Sequence, residues 1–307
     1  MIGIVFPGQG SQRPGMGKDL YDGNSAAKAV FQEISDAVGQ DMTALCFDSD
    51  DETLRQTQNA QMALYCTGVA AFRALQNEAN VSPRAFAGHS VGEYAALAAA
   101  GVLDIAEGAK LVQRRGQLMS QAGSTRPGGM AAVLGLNAED IKPVLAEVIA
   151  SGVCVIANDN CPGQTVISGD INAIQAATAL LPERGAKRVL PLNVSGAFHS
   201  PLMDESAAEM AKALAAANFQ QGSPVYSNVT TEIGDNWPEL LTLQLKSPVR
   251  WNESVQNMIA AGITTFIECG SGEVLSGLLR RIDKSATALK VVDMATLAET
   301  KTALEAN

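Results

Sequence analysis

Phe86-Ala87-Gly88-His89-Ser90-Val91-Gly92-Glu93 decides how the chain is read. Residues 88–92 fit Gly-x-Ser-x-Gly, in which a strand ends, the chain turns sharply and a helix begins with serine at the tip. The context agrees with that pattern. Ala85-Phe86-Ala87 is a short apolar run after Pro83, and Glu93 to Ala100 is strongly helix-forming before a stop at Gly101. Gly88 and Gly92 lack a Cβ, so strand and helix can close around the turn. Ser90 is then held above the sheet as a nucleophile. The unpaired N–H of Val91, opening the helix, points at any negative oxygen formed beside it. A serine in an ordinary glycine-containing turn also satisfies the five-residue pattern; the flanking strand and helix favour the nucleophile.

The 307 residues suffice for one large domain or two smaller ones. With 47% hydrophobic and 18% charged residues the chain is globular rather than disordered. A net charge of −10 disfavours general binding to nucleic acid or anionic membranes, which needs a basic face. No apolar run is long enough to span a bilayer. Met1 to Phe6 lacks a basic leader and runs into Pro7-Gly8, so it reads as a first strand, not a signal peptide. The five cysteines are odd in number and scattered, with neither a Cys-x-x-Cys pair nor a metal spacing. A reduced, cytoplasmic setting is expected, and with only two histidines no His/Cys metal site is.

Along the chain, Ile2–Phe6 is expected as a strand followed by the glycine-rich loop Pro7-Gly8-Gln9-Gly10-Ser11-Gln12. This is no Walker loop, and Arg13 stands where a dinucleotide fingerprint needs its third glycine. It suits a second oxyanion donor for a serine enzyme, or a plain turn. Helices are expected over 18–38, 59–77 and from the Asp104 cap to about Gln121. After a break near 124–129 come a strand (130–134), a helix (138–150) and two strands (153–157 and 164–168) joined by an Asn158-to-Gly163 turn. A helix (171–181) and a strand (187–190) complete a β-α-β-β-α-β order, that of a ferredoxin-like unit. Helices at 199–217, 237–245, 251–261 and from Glu273 follow, with strands at 225–229, 264–268 and 291–293. The expected fold class is α/β: an α/β-hydrolase-like large domain with a mostly parallel sheet (1–124 and 194–307) and an inserted ferredoxin-like small subdomain (125–193).

A free serine hydroxyl needs a base at neutral pH, and histidine suits the role. His89 adjoins Ser90, and neighbouring side chains diverge at a sharp turn, which leaves His199. No acidic third member is evident. Arg115, in an otherwise apolar helix, would select an acyl group with a free carboxylate if it faces the cleft; a surface salt bridge is the alternative for it and for Arg114.

Four motifs occur in order: Phe-Pro-Gly-Gln-Gly-Ser-Gln at 6–12, Gly-His-Ser-Val-Gly-Glu at 88–93, Gln-Arg-Arg-Gly-Gln-Leu-Met at 113–119 and Gly-Ala-Phe-His-Ser-Pro-Leu-Met at 196–203. With them the chain closely resembles, over essentially its full length, the malonyl-CoA:acyl-carrier-protein transacylases of type II fatty-acid synthesis. The resemblance implies a ping-pong reaction in which Ser90, assisted by His199, takes a malonyl group from coenzyme A and yields it to a phosphopantetheine thiol. It places the oxyanion hole at the backbone N–H groups of Gln9 and Val91 and the carboxylate-binding arginine at Arg115. Gln244 matches a residue whose region orients the histidine through a backbone carbonyl. Asn158 and Asn160 fall on a small-subdomain loop lining the cleft, and Phe198 favours malonyl over methylmalonyl. The implied partners are a coenzyme A thioester and an acidic acyl carrier protein, met transiently through a local patch including Arg114, Lys187 or Arg188, by an enzyme that can act as a monomer. No cofactor, metal, nucleic acid or membrane is implied. A serine hydrolase would share the Ser–His pair, and a carrier-docking protein with an inert site is the non-enzymatic alternative.

Overall fold

A computed structural model describes residues 1–306. Nine strands are present among them: β1 (Ile2–Phe6), β2 (Ala85–Gly88), β3 (Gly128–Leu134), β4 (Cys154–Cys161), β5 (Gln164–Asp170), β6 (Arg188–Pro191), β7 (Val225–Tyr226), β8 (Thr265–Cys269) and β9 (Thr287–Val291). Side chains alternate across a strand. Ile4 and Phe6 of β1, Phe86 of β2 and Ile267 of β8 therefore enter one core, and Val5, Ala85, Ala87 and Phe266 enter a second on the opposite face. Apolar on both faces, these strands form a wholly parallel sheet in the order β7-β2-β1-β8-β9. The chain leaves β1 for β2 on one side and places β8 on the other. Ligands in such sheets bind beyond the carboxyl ends of strands where the order reverses. Here those ends are Phe6 and Gly88, which pair in register.

The second sheet is antiparallel, in the order β4-β5-β3-β6. The expected β-α-β-β-α-β unit is present. Ala131, Val133 and Ile167 pack under the helices Ala138–Glu147 and Ile171–Leu180, whereas Met130 and Val166 face the large core.

Several expectations need correction. The helix expected over 18–38 is two, because Asn24 adopts an extended conformation and caps Ser25–Val38, accepting from the N–H groups of Ala26 and Ala27. The helix from Asp104 runs on to Thr125. The Asn158-to-Gly163 segment is not a turn. β4 continues through register shifts to Cys161, since Val249 hydrogen-bonds Ala157 and Asp159 and holds the segment extended; only Pro162-Gly163 turns. β7 ends at Tyr226, where Ser227–Thr231 curl into a turn with Thr231 at φ 65°. The last strand is 287–291, and a helix absent from the reading, Met294–Glu305, follows it with an Asp293 capping box. No helix is long and apolar enough to cross a membrane among the described residues.

At the elbow, Ser90 has φ 55°, a left-handed conformation rare for residues with a side chain. A Cβ on Gly88 would lie 1.9 Å from the Gly92 carbonyl carbon, and one on Gly92 would lie 2.2 Å from the Phe6 oxygen. Both are backbone atoms and cannot move aside. Gly88→Ala should therefore cost about 3 kcal/mol or more of stability, read by denaturant unfolding. Gly277→Ala, in a helix with open space around the new methyl, should be neutral or stabilising by up to about 1 kcal/mol. Equal stability of the two variants would refute the steric account.

Candidate active site

The loop after β1, the elbow after β2 and the helix Ile105–Thr125 meet at a cavity of about 220 Å³. Gln9, Ser90, Val91, Arg115, Phe198 and His199 line it, with Met130 of β3, Asn158 of β4 and Leu192 just after β6. Gln9 and Val91 present backbone N–H groups without hydrogen-bond partners among the described residues. Both border the cavity beside Ser90, as an oxyanion site requires.

His199 lies 2.8 Å, through Nε2, from Ser90 Oγ. It is not on a helix. It precedes the short turn Pro201–Met203 with φ 54°, and its own N–H donates to the Leu245 carbonyl. Its Nδ1 lies 2.8 Å from the Gln244 carbonyl oxygen. A carbonyl only accepts, so the proton sits on Nδ1 and the Nε2 lone pair faces the serine hydroxyl. Burial, reinforced by the Arg115 charge, lowers the His199 pKa to about 3, so the ring is neutral and can take a proton.

Arg115 is 1% exposed. Its Nη1 donates to Gln61 Oε1 at 2.6 Å; its Nη2 donates to Gln244 Oε1 at 2.9 Å and to Ser90 Oγ at 3.0 Å. Every one of these acceptors is neutral, and no carboxylate pairs with the guanidinium among the described residues. Burial lowers its pKa from the ordinary arginine value, yet arginine keeps its charge. A desolvated cation unpaired with any carboxylate thus faces the cavity beside Ser90. Arg114, one position earlier, is half-exposed and points to Glu209.

Two expected residues lie outside the cavity lining. Asn160 is buried behind it, its Oδ1 2.8 Å from His89 Nε2; the His89 ring in turn packs, tilted by 57°, against Trp251. Gln244 is fully buried beneath Ser90 and Arg115, where it touches protein rather than open space. Three residues of the site escaped the sequence reading. Gln61 is a polar side chain within the buried run Ala60–Leu64, which was the available signal. Asn228 accepts from the Ser90 N–H at 2.8 Å and donates to the Gly88 carbonyl at 2.7 Å, bracing the elbow from the turn after β7. Glu93 is completely buried and accepts from the Asn228 N–H and Gln244 Nε2. Burial pushes its pKa up to about 8, opposed by those two donors and the Arg115 charge.

The chain matches the acyl transferase domain family over residues 4–303. It is 42% identical over 301 residues to the malonyl CoA-acyl carrier protein transacylase of Bacillus subtilis (strain 168), covering 96% of this chain and 95% of the relative. The crystal structure of malonyl CoA-acyl carrier protein transacylase from Clostridium perfringens superposes with a TM-score of 0.95 at 36% identity, covering 99% of this chain and 97% of that one. A malonyl-transacylase solved in complex with its type II PKS acyl-carrier protein gives 0.94 at 38% identity, covering 100% of this chain and 99% of that one. With a family match across nearly its whole length and Ser90, His199 and Arg115 converging on one cavity, the chain belongs to the acyl transferase domain family.

Proposed function

We propose that the protein is a malonyl-CoA:acyl-carrier-protein transacylase, supplying malonyl extender for fatty-acid synthesis. The observation that carries the substrate class is the buried Arg115 guanidinium, unpaired with any carboxylate and 3.0 Å from the nucleophile. It is placed to form a bidentate pair with the free carboxylate of a malonyl group whose thioester carbon sits over Ser90. Ser90 Oγ attacks that carbon while His199 Nε2 takes its proton, and the Gln9 and Val91 N–H groups receive the oxyanion. Collapse breaks the C–S bond, and the coenzyme A sulfur leaves with the proton from His199. In the second half, the phosphopantetheine thiol of an acyl carrier protein gives its proton to His199 and attacks the malonyl ester. Ser90 Oγ then departs and takes that proton back. The net exchange is one thioester for another, and no cofactor is called for.

Gln244 supports this scheme through its carbonyl on His199, in place of an acidic triad member. Phe198, 4% exposed on the cavity wall, fits a preference for malonyl over a branched methylmalonyl. The reading takes 1–124 with 194–307 as the catalytic unit and 125–193 as the unit covering it, acting as a monomer in the cytoplasm. The exposed Lys187 and Arg188 at the start of β6, with Arg114, are the proposed contacts for an acidic carrier.

Incubation with malonyl-CoA should add one malonyl group at Ser90, seen by intact mass, absent in Ser90→Ala and transferable to holo acyl carrier protein. Release of free malonate without transfer would instead mark a hydrolase. Arg115→Ala should lower malonyl transfer by about 100-fold, a loss on the order of 3 kcal/mol, and acetyl transfer far less. Equal loss on both donors would remove the carboxylate-binding role.

The His199 pKa of about 3 gives a pH test. A base with an ordinary histidine pKa would lose activity as pH falls through about 6.5. Because His199 stays neutral there, pre-steady-state acylation by acetyl-CoA, which brings no carboxylate to Arg115, should hold nearly constant from about pH 7 down to about pH 5. A tenfold fall across that interval would show that the ring titrates normally.

A further inference from the structure

Glu93 has no part in the transfer steps above, yet it is fully buried one layer beneath the nucleophile. Its Oε1 accepts the Asn228 backbone N–H at 2.6 Å and its Oε2 accepts from Gln244 Nε2. Gln244 then stands between this acid and the arginine. Its amide nitrogen faces Glu93 and the Ser90 carbonyl, and its amide oxygen faces Arg115 Nη2. An amide has one donor end and one acceptor end, so fixing one end fixes the other. An acid in the place of Gln244 would pair directly with Arg115, and substrate would have to displace it. An acid one residue further back orients the amide and leaves the guanidinium unpaired.

We propose that Glu93 is a specificity-determining positioning residue: its two acceptor oxygens orient the Gln244 amide so that Arg115 is held toward Ser90 yet left free for the carboxylate of the acyl group. This rests on the acyltransferase reading. Glu93→Gln brings an NH₂ against either the Asn228 N–H or the Gln244 NH₂. With the NH₂ toward Gln244, relief by flipping Gln244 turns its nitrogen toward Arg115 and the conflict reaches the arginine; with the NH₂ toward Asn228, the conflict falls on the backbone N–H of the residue that braces the elbow. Protonation of Glu93 introduces the same conflict through an O–H. The charged and titratable groups acting on Glu93 are Arg115 from the helix Ile105–Thr125 and Tyr94 on its own helix, with His199 across Gln244.

The test is single-turnover acylation by malonyl-CoA and acetyl-CoA, followed by intact mass. Glu93→Gln should lower the malonyl-over-acetyl preference by about tenfold or more. In the parent protein the preference should rise between about pH 6.5 and about pH 9 as Glu93 loses its proton, and in Glu93→Gln it should be flat. The double variant Glu93→Gln with Gln244→Glu restores the match between these two side chains but sets a carboxylate oxygen against the Ser90 carbonyl in place of the Gln244 Nε2 donor. It should pair its new acid with Arg115 and lose malonyl preference further. A folded Glu93→Gln with parental preference, or a double variant that regains it, would overturn the proposal. If Glu93→Gln does not fold, the double variant and the parent's pH profile decide. Absence of a malonyl adduct on the parent protein would overturn the acyltransferase reading itself, and this inference with it.

Discussion

Everything at the site depends on how closely three pieces of backbone approach one another at the carboxyl ends of β1 and β2. Gly88 and Gly92 leave no room for a methyl group, and the His89 N–H donates to the Phe6 carbonyl across the same gap at 2.9 Å. That contact brings the loop carrying Gln9 against the turn carrying Ser90. It also sustains the left-handed conformation of Ser90, which costs energy and persists only where surrounding packing and hydrogen bonds over-determine it. Asn228 supplies that determination on both sides of the turn, accepting from Ser90 and donating to Gly88. Ser90 and the N–H groups of Gln9 and Val91 are thus fixed by one steric constraint and one side-chain brace.

Charge is arranged with the same economy. A buried guanidinium is ordinarily matched by a carboxylate. Here Gln61, Gln244 and Ser90 accept from its two terminal nitrogens, its buried Nε has no partner among the described residues, and its charge is left unneutralised in contact. The consequence reaches His199, whose proton affinity is depressed by burial and by that charge. An anionic group bound to Arg115 would offset the charge and raise the affinity of His199 for a proton. The base would then strengthen when a carboxylate-bearing acyl group is in place. Carboxylate binding at Arg115 and the proton affinity of His199 would thus be coupled through one side chain.

Much of this was legible in the sequence because it is carried by local pattern. The elbow shows as a strand, two glycines and a helix. The histidine beside Ser90 shows by elimination, since only two histidines exist, and the β-α-β-β-α-β order shows in alternating periodicity. What stayed hidden depends on contacts distant in the chain. Glu93 reads locally as a helix former, and only its complete burial against Asn228, 135 positions later, gives it meaning. Asn160 looks like a cleft residue until β4 is seen to run on past Asn158, which turns it toward His89. The extension exists because Val249 lends that stretch a hydrogen-bonding partner, which no local propensity reveals.

The same β4 bridge explains how the two sheets divide the cavity. The groups that hydrogen-bond around Ser90 come from the parallel-sheet unit: Arg115, His199 and Gln244, with the N–H groups of Gln9 and Val91 beside them. The antiparallel sheet and its trailing segment add Met130, Asn158 and Leu192, none of which hydrogen-bonds to Ser90, His199 or Arg115 among the described residues. One sheet supplies the polar constellation and the other a wall. Rigid elements hold the constellation, as precise positioning demands. The wall can change shape through substitutions in β3 or after β6 without disturbing a single hydrogen bond of the Ser–His–Arg cluster. Such a separation lets the size of the accepted acyl group change while the transfer chemistry is left intact.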